Sequence, residues 1–255
     1  MGQKTNPISN RLGLIYGWQS IWINNYLKNV KEDNDIREYI NKRFNNRYCI
    51  SNILIERTSN KIIISICTSK PAIVIGKKGK EVNNLKENIK KIIFKNIYEY
   101  YLFEKKKKIS KIKNILIYIN VIDIIKPEMD ALLVAKNICR QIRNRVSYKK
   151  AIKLSIFTAL KMKALGIKIQ ISGRLNGAEM ARTETYKKGI IKLSTFRSNI
   201  DYGLSEVNTN YGKIGVKVWI MKGVIYKKMK DFSDFYKRIF KIKKKEKIKI
   251  FVKKK

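Results

Sequence analysis

The segment reading SKPAIVIGKKGKEVNNLKENI, from Ser69 to Ile89, constrains the fold more tightly than any other stretch of the chain. An apolar run ends at Gly76, two lysines follow, and Gly79 precedes Val82, Leu85, Ile89 and Ile92, an apolar stripe at helical spacing. The chain must therefore turn sharply between a buried segment and an amphipathic helix. Glycines lack a Cβ and let the backbone approach a ligand closely. The unpaired N–H groups of the following helix point at the same place. With Lys77 and Lys78 between them, Gly76 and Gly79 suit a ligand that carries its charge on phosphates. Neither G-x-x-x-x-G-K-[ST] nor G-x-G-x-x-G occurs, so the mononucleotide and dinucleotide phosphate loops are excluded.

Charge points the same way. Among 255 residues, 58 Lys and Arg face 19 Asp and Glu, a formal net charge of +39. A compact fold with that charge repels itself unless a polyanion neutralises it. Nucleic acid is the first candidate, because each phosphate contacted releases counterions; an anionic membrane surface is the second. The second fails on patterning, since lysines interrupt every apolar run short of the ~18 residues a spanning helix needs. MGQKTNPISNRLG at the start lacks the apolar centre of a signal peptide. It also carries Asn6 where a myristoylation signal has Ser or Thr. No membrane association is expected, and the setting expected is cytoplasmic, or organellar if the gene is organelle-encoded.

The 44% hydrophobic content is enough for real cores. There is no histidine, which removes Ser-His-Asp and Cys-His nucleophile systems and HExxH zinc sites. Cys49, Cys67 and Cys139 are scattered and read as reduced packing residues. Neither metal nor cofactor is implied.

Residues 1–20 are polar and turn-prone and read as an extended tail. Trp18, Trp22 and Tyr26 lead into a helix around Ile36–Phe44. Ile53–Glu56 and Ile62–Thr68 follow as strands separated by a Ser59-Asn60 turn, and then comes the glycine loop. Beyond its helix, a lysine-rich connection at 103–114 leads to a strand at ILIYINVI. Lys126-Pro127 breaks the pattern and marks a domain boundary. A long helix from about Glu128 to Val146 is expected next, with Met129, Leu132, Leu133, Cys139, Ile142 and Val146 on its apolar face. A helix near Tyr148–Leu165, a strand at IKIQIS, the segment GRLNGAEMARTE and a strand at GVKVWIMKG complete the second half. Trp219 and Tyr211 are expected in the core. The domains expected are a tail at 1–20, a first domain at 21–126, a second at 127–225 and a basic tail at 226–255.

Helix, strand, strand, glycine loop, helix, strand is the order of a type II KH domain, whose GXXG loop clamps a nucleic-acid backbone. The expected class is α+β, an N-terminal type II KH domain followed by a second α+β domain with basic tails. Over nearly its whole length the chain also resembles the family of the third protein of the bacterial small ribosomal subunit. The resemblance rests on MGQK with RLG at the start, KPAIVIGKKG in the loop, SGRLNGAEMARTE, and SEVNTNYGKIGVKVWIMKG, in that order. Asn6 stands where the family has His, Asn176 where it usually has Gly, and the connection at 103–114 is longer than usual.

The resemblance implies a structural constituent of the small-subunit head, not an enzyme. Such a protein binds ribosomal RNA, lines the channel through which messenger RNA enters, and unwinds messenger passively. Partners so implied are small-subunit ribosomal RNA, messenger RNA, the tenth and fourteenth proteins of the head, and the fourth and fifth proteins of the channel. Lys4 and Arg11 would contact RNA phosphate or adjacent protein. Lys149, Lys150 and Lys153 fall at i, i+1 and i+4, on one broad helix face. They match a family cluster, usually arginine, that grips separated messenger strands; lysine there offers a point charge without bidentate geometry. Arg174, Arg182 and Arg197 either bind ribosomal RNA or pair with Glu179, Glu184 or Asp201. The alternative to a ribosomal role is a free-standing KH regulator or processing factor. A lysine-based lyase or nuclease would need one desolvated lysine that nothing singles out.

Overall fold

The computed structural model describes residues 4–22, 26–44, 49–58, 61–103 and 116–226, with backbone alone for 95–103. The Ser59-Asn60 turn, the lysine-rich connection from 104 onward and the basic tail from 227 onward lie outside the described residues. The first half is a four-stranded sheet in the order β1-β2-β3-β4. β1 (Ser20–Ile21) runs parallel to β2 (Ile50–Arg57), β2 is antiparallel to β3 (Lys61–Thr68), and β3 is parallel to β4 (Leu116–Asp123). Three helices belong to it: α1 (Tyr26–Phe44), α2 (Pro71–Ile75) and α3 (Lys80–Phe103).

Ile62, Ile64 and Ile66 alternate along β3 and are buried, as their spacing predicts, against Ile36 and Ile40 of α1 and Leu85 and Ile89 of α3. Ile93 and not Ile92 completes the α3 stripe. A second four-residue step keeps it on the buried line, while Ile92 rolls to the margin. The apolar run before the glycines is a helical turn of its own. Pro71 sits at its start, where φ is already helical and the missing N–H costs nothing. Gly76 ends it, its N–H donating to Ala72 O at 2.9 Å.

In the second half the expected long helix is divided. A 3-10 turn at Pro127–Met129 precedes α4 (Ala131–Arg143). Asp130 caps α4, accepting from the N–H groups of Leu132 and Leu133 at 3.1 Å each. The buried face of α4 is Ala131, Leu133, Val134, Ala135, Ile138 and Cys139; Met129, Leu132 and Val146 lie off it. After α5 (Tyr148–Lys161) come β5 (Gly166–Gly173), β6 (Arg182–Gly189), β7 (Ser198–Thr209) and β8 (Gly212–Val224), ordered β6-β5-β8-β7 with antiparallel neighbours.

Helices α4 and α5 cover one side of this sheet, burying Ile167, Ile169, Ile171, Val216, Val218 and Ile220. α4 rests directly on β7: a Cβ on Gly203 would lie 2.5 Å from backbone atoms of Ala131 and Leu132. Strands β6 and β7 are not distinguishable from local pattern. RTETYKKG is polar throughout, and Gly203 interrupts the alternation of β7.

The N-terminal segment is not an extended tail. Arg11 is 1% exposed. Its guanidinium donates to the carbonyls of Ser198 (2.8 Å), Pro7 (2.9 Å), Leu193 (2.7 Å) and Thr195 (3.0 Å). Tyr16 Oη donates to Ile200 O at 2.8 Å, and burial pushes that phenol well above its ordinary range. Further along, Ser20 and Ile21 pair with Ile55 and Glu56 of the first sheet. The segment thus straps the second sheet to the first.

A polar joint lies beside the strap. Ser51 Oγ of β2 donates to the Asp130 carboxylate, and Lys136 Nζ of α4 donates to Ile50 O at 2.8 Å. Asp201 accepts from Ala131 N at 3.1 Å and Lys222 Nζ at 2.8 Å. Burial, then Asp201, push the Asp130 carboxyl above its usual value. Burial pulls the Lys222 ammonium down, and Asp201 and Asp130 more than offset it.

Candidate nucleic-acid interface

The glycine loop stands at the end of the first sheet, between α2 and α3. Gly76 takes φ +72°, Lys78 φ +53° and Gly79 φ +75°, so three of four residues are in the left-handed region. At Gly76 a side chain is excluded twice, by that φ and by Glu81 Cγ, which would lie 2.5 Å from an added Cβ. Arg43 of α1 holds Glu81 at 2.6 Å, tying the first turn of α3 to the rest of the domain. Lys77, Lys78 and Lys80 are exposed or half-buried at the surface. The arrangement is a rigid bend carrying outward cations at the positive end of a 24-residue helix.

The second predicted cluster is brought together on α5. Lys149, Lys150 and Lys153 are all exposed, within an arc of about 100° by helical geometry. Among the described residues none of the three has an acidic partner. Phe157, 66% exposed, stands on the same face. Sequence reasoning missed it because IFTAL reads as a run of core residues. The helix's inner face buries Tyr148, Ala151, Ile152, Ser155, Ile156 and Ala159, so the lysines stand on a fixed platform.

The remaining predicted cations divide. Arg11 is unavailable for an external contact, since its guanidinium is consumed inside the fold; this overturns the expectation that it reaches RNA or a neighbouring protein. Lys4 is exposed. Arg174 donates to Ala178 O at 2.8 Å and to Tyr211 O at 3.4 Å, closing the Leu175–Gly177 turn onto the β7–β8 hairpin. Its partners are carbonyls, and it makes no ion pair with Glu179. Arg182 pairs with Glu184 at 3.0 Å, one of the alternatives left open by the sequence. Arg197 is exposed.

Trp219 is buried at 8%, but Tyr211 is 58% exposed and lies under Arg174 instead of entering the core. Asn176 has φ +56°. Asn tolerates that region better than other side chains, so the departure from glycine keeps the turn. The three cysteines are free and buried. Lys168, Lys187 and Lys217, on the sheet face away from the helices, were not found from the sequence. The alternation in IKIQIS was the available signal, but it leaves open which side is covered.

Among the described residues no group of acidic, Cys or His side chains could hold a metal ion. No helix there is long and apolar enough to cross a membrane. Comparison with known proteins agrees with the geometry. Residues 35–129 match the family model described as KH domain, and residues 138–220 match that of ribosomal protein S3, C-terminal domain. The small ribosomal subunit protein uS3 of Karelsulcia muelleri (strain GWSS) is 51% identical over 247 residues, covering 97% of this chain and 98% of that one. The uS3 proteins of Flavobacterium psychrophilum (49% over 230 residues, 89% and 83% covered) and Bacteroides thetaiotaomicron (46% over 230 residues, 89% and 86%) are similar to it as well. With a KH domain carrying the glycine loop and an S3-type domain carrying the α5 lysines, the chain belongs to the uS3 family of small ribosomal subunit proteins.

Proposed function

We propose that the protein is a structural, non-enzymatic component of the small ribosomal subunit, working in the cytoplasm. In this reading it binds ribosomal RNA, borders the path by which messenger enters, and sits beside other proteins of the head and channel. The single observation that carries the messenger role is the outward face of α5. Lys149, Lys150 and Lys153 stand there without acidic partners among the described residues, on a helix fixed from behind by a buried core. Three cations on one face can hold phosphates of strands already separated, while translocation supplies the work. Phe157 among them offers a ring for an unpaired base, a contact of about 1–3 kcal/mol.

Changing Lys149, Lys150 and Lys153 together to Ala removes charge and keeps helix propensity. Subunit assembly should be normal, and translation through a stable messenger hairpin slower, with little effect on unstructured message. Equal slowing on both messages, or none on either, would leave these residues as general RNA anchors. Sedimentation at high salt tests the ribosomal assignment itself. Co-migration with small subunits supports it, and a free pool would favour a free-standing KH factor.

A further inference from the structure

The second sheet has two sides; the helices cover one, and on the other Ile191 and Leu193 pack over Trp219, Met221 and Ile200 at one end while Lys187 and Lys217 stay exposed. On the other side the register sets Lys187 of β6 directly opposite Lys168 of β5, which is opposite Trp219 of β8, which is opposite Tyr202 of β7. One step along, Thr185, Gln170, Lys217 and Leu204 form the next row. Trp219 and Tyr202 pack with ring centroids 5.4 Å apart. Lys168 Nζ lies over the Trp219 ring at 5.1 Å, and Lys217 occupies the diagonal position.

Lys4 adds a further like charge acting on Lys168. Like charges directly opposite across a ladder destabilise a sheet, and Lys168 and Lys187 are directly opposite on strands whose backbones run ~4.8 Å apart. Among the described residues no carboxylate is ion-paired with Lys168, Lys187 or Lys217. Glu206, in the third row, pairs with Lys213 at 3.3 Å. Burial of Lys168, and then the charges of Lys4 and Lys187, pull its ammonium below the ordinary lysine value.

We propose that this open face of the second sheet, with Lys168, Lys187 and Lys217 at its centre and Lys4 at its margin, is a landing surface for an RNA sugar–phosphate backbone. It rests on the reading that the protein binds RNA and is separate from any role of α5, which lies on the opposite side of the sheet. The cations are lysines, point charges suited to phosphate in many orientations, in place of the arginine forks that read one planar group. Gln170, Thr185, Ser172 and Thr183 alternate with them and supply hydrogen-bond donors for phosphate or ribose oxygens. An RNA backbone resolves the like-charge opposition that the sheet itself leaves standing.

The test uses the full chain and a labelled RNA hairpin titrated across salt concentrations. The triple variant Lys168→Gln, Lys187→Gln, Lys217→Gln should lower the log–log salt slope by about two, at roughly 0.7–0.9 for each phosphate no longer neutralised. Its melting temperature should hold or rise, because opposed charges have been removed. The matching triple change to Arg should keep the parent slope. An unchanged slope in the Gln variant beside a steep parent slope overturns this surface, as does an equal fall in the Arg variant. A parent slope near zero would remove the RNA-binding reading itself.

Discussion

Lys77 and Lys78 stand on a four-residue bend at the end of the first sheet, whereas the cations of the second half stand on the flank of α5 and the open face of a sheet. The bend is made locally. Positive φ at Gly76, Lys78 and Gly79 fixes it whatever lies further along the chain. The second-half faces are made by packing: α5 shows its lysines because its other side is buried, and β5 shows Lys168 because Ile167 and Ile169 are covered. A local device tolerates changes elsewhere; a packed face is only as fixed as the body behind it. Arg11 and the Asp130 joint connect the two halves, so they are where this contrast can be broken.

The largest effect is expected at Arg11. Arg11→Ala strips a buried donor from four carbonyls and should cost on the order of 3 kcal/mol in urea unfolding. Arg11→Lys should recover little, since one ammonium cannot span the same fork. A cost below about 1 kcal/mol would mean that the strap merely rests on the second sheet and that the halves are independent.

Smaller, and confined to the bend, is the effect of Lys77→Asp with Lys78→Asp. Affinity for single-stranded RNA should fall on the order of tenfold, with the salt slope lower by about 1.4 for two phosphates released. Thermal unfolding should be unchanged, because both side chains stand at the surface. Loss of fold would show the bend to be less local than its φ values indicate, and unchanged affinity would leave it without an RNA role.

The smallest effect concerns the joint. Burial and Asp201 raise the Asp130 carboxyl in the folded chain, so the fold binds that proton more tightly than the unfolded chain does. The resulting stabilisation is complete below the ordinary value of 3.8 and is lost as pH rises through the elevated one. Asp130→Asn keeps a capping oxygen and removes the titration. Its stability should decline less than the parent's above pH 3.8 in denaturant titrations. Superimposable pH profiles would show that Asp130 titrates as it would in water.

The first half was largely legible because its signals are short-range. Alternating isoleucines marked β3, an apolar stripe at steps of three and four marked α3, and two glycines around two lysines marked the bend. The α5 cluster was legible for the same reason, since i, i+1 and i+4 share a face in any helix. The misjudged elements were those whose local pattern points two ways. Residues 1–20 have a polar sequence, and polarity alone cannot separate an arginine turned inward to carbonyls from a solvated one. Strand β6 is polar on an edge, and α4 begins late because Asp130 is needed as its cap.

Charge, the absence of histidine, the glycine bend and four ordered motifs were enough to place the chain among KH proteins and to suggest its family. These are properties of composition and near neighbours, which the backbone expresses wherever the segment folds. The fate of Arg11, the opposition of Lys168 and Lys187, and the meeting of Ser51 with Asp130 required the folded chain. Arg11 finds a carbonyl partner 187 positions away, and the two lysines face one another through a ladder register set by turns and by the covered side of the sheet. Such contacts come from long-range packing, where one residue of register slip would send every side chain of the strand to the other face.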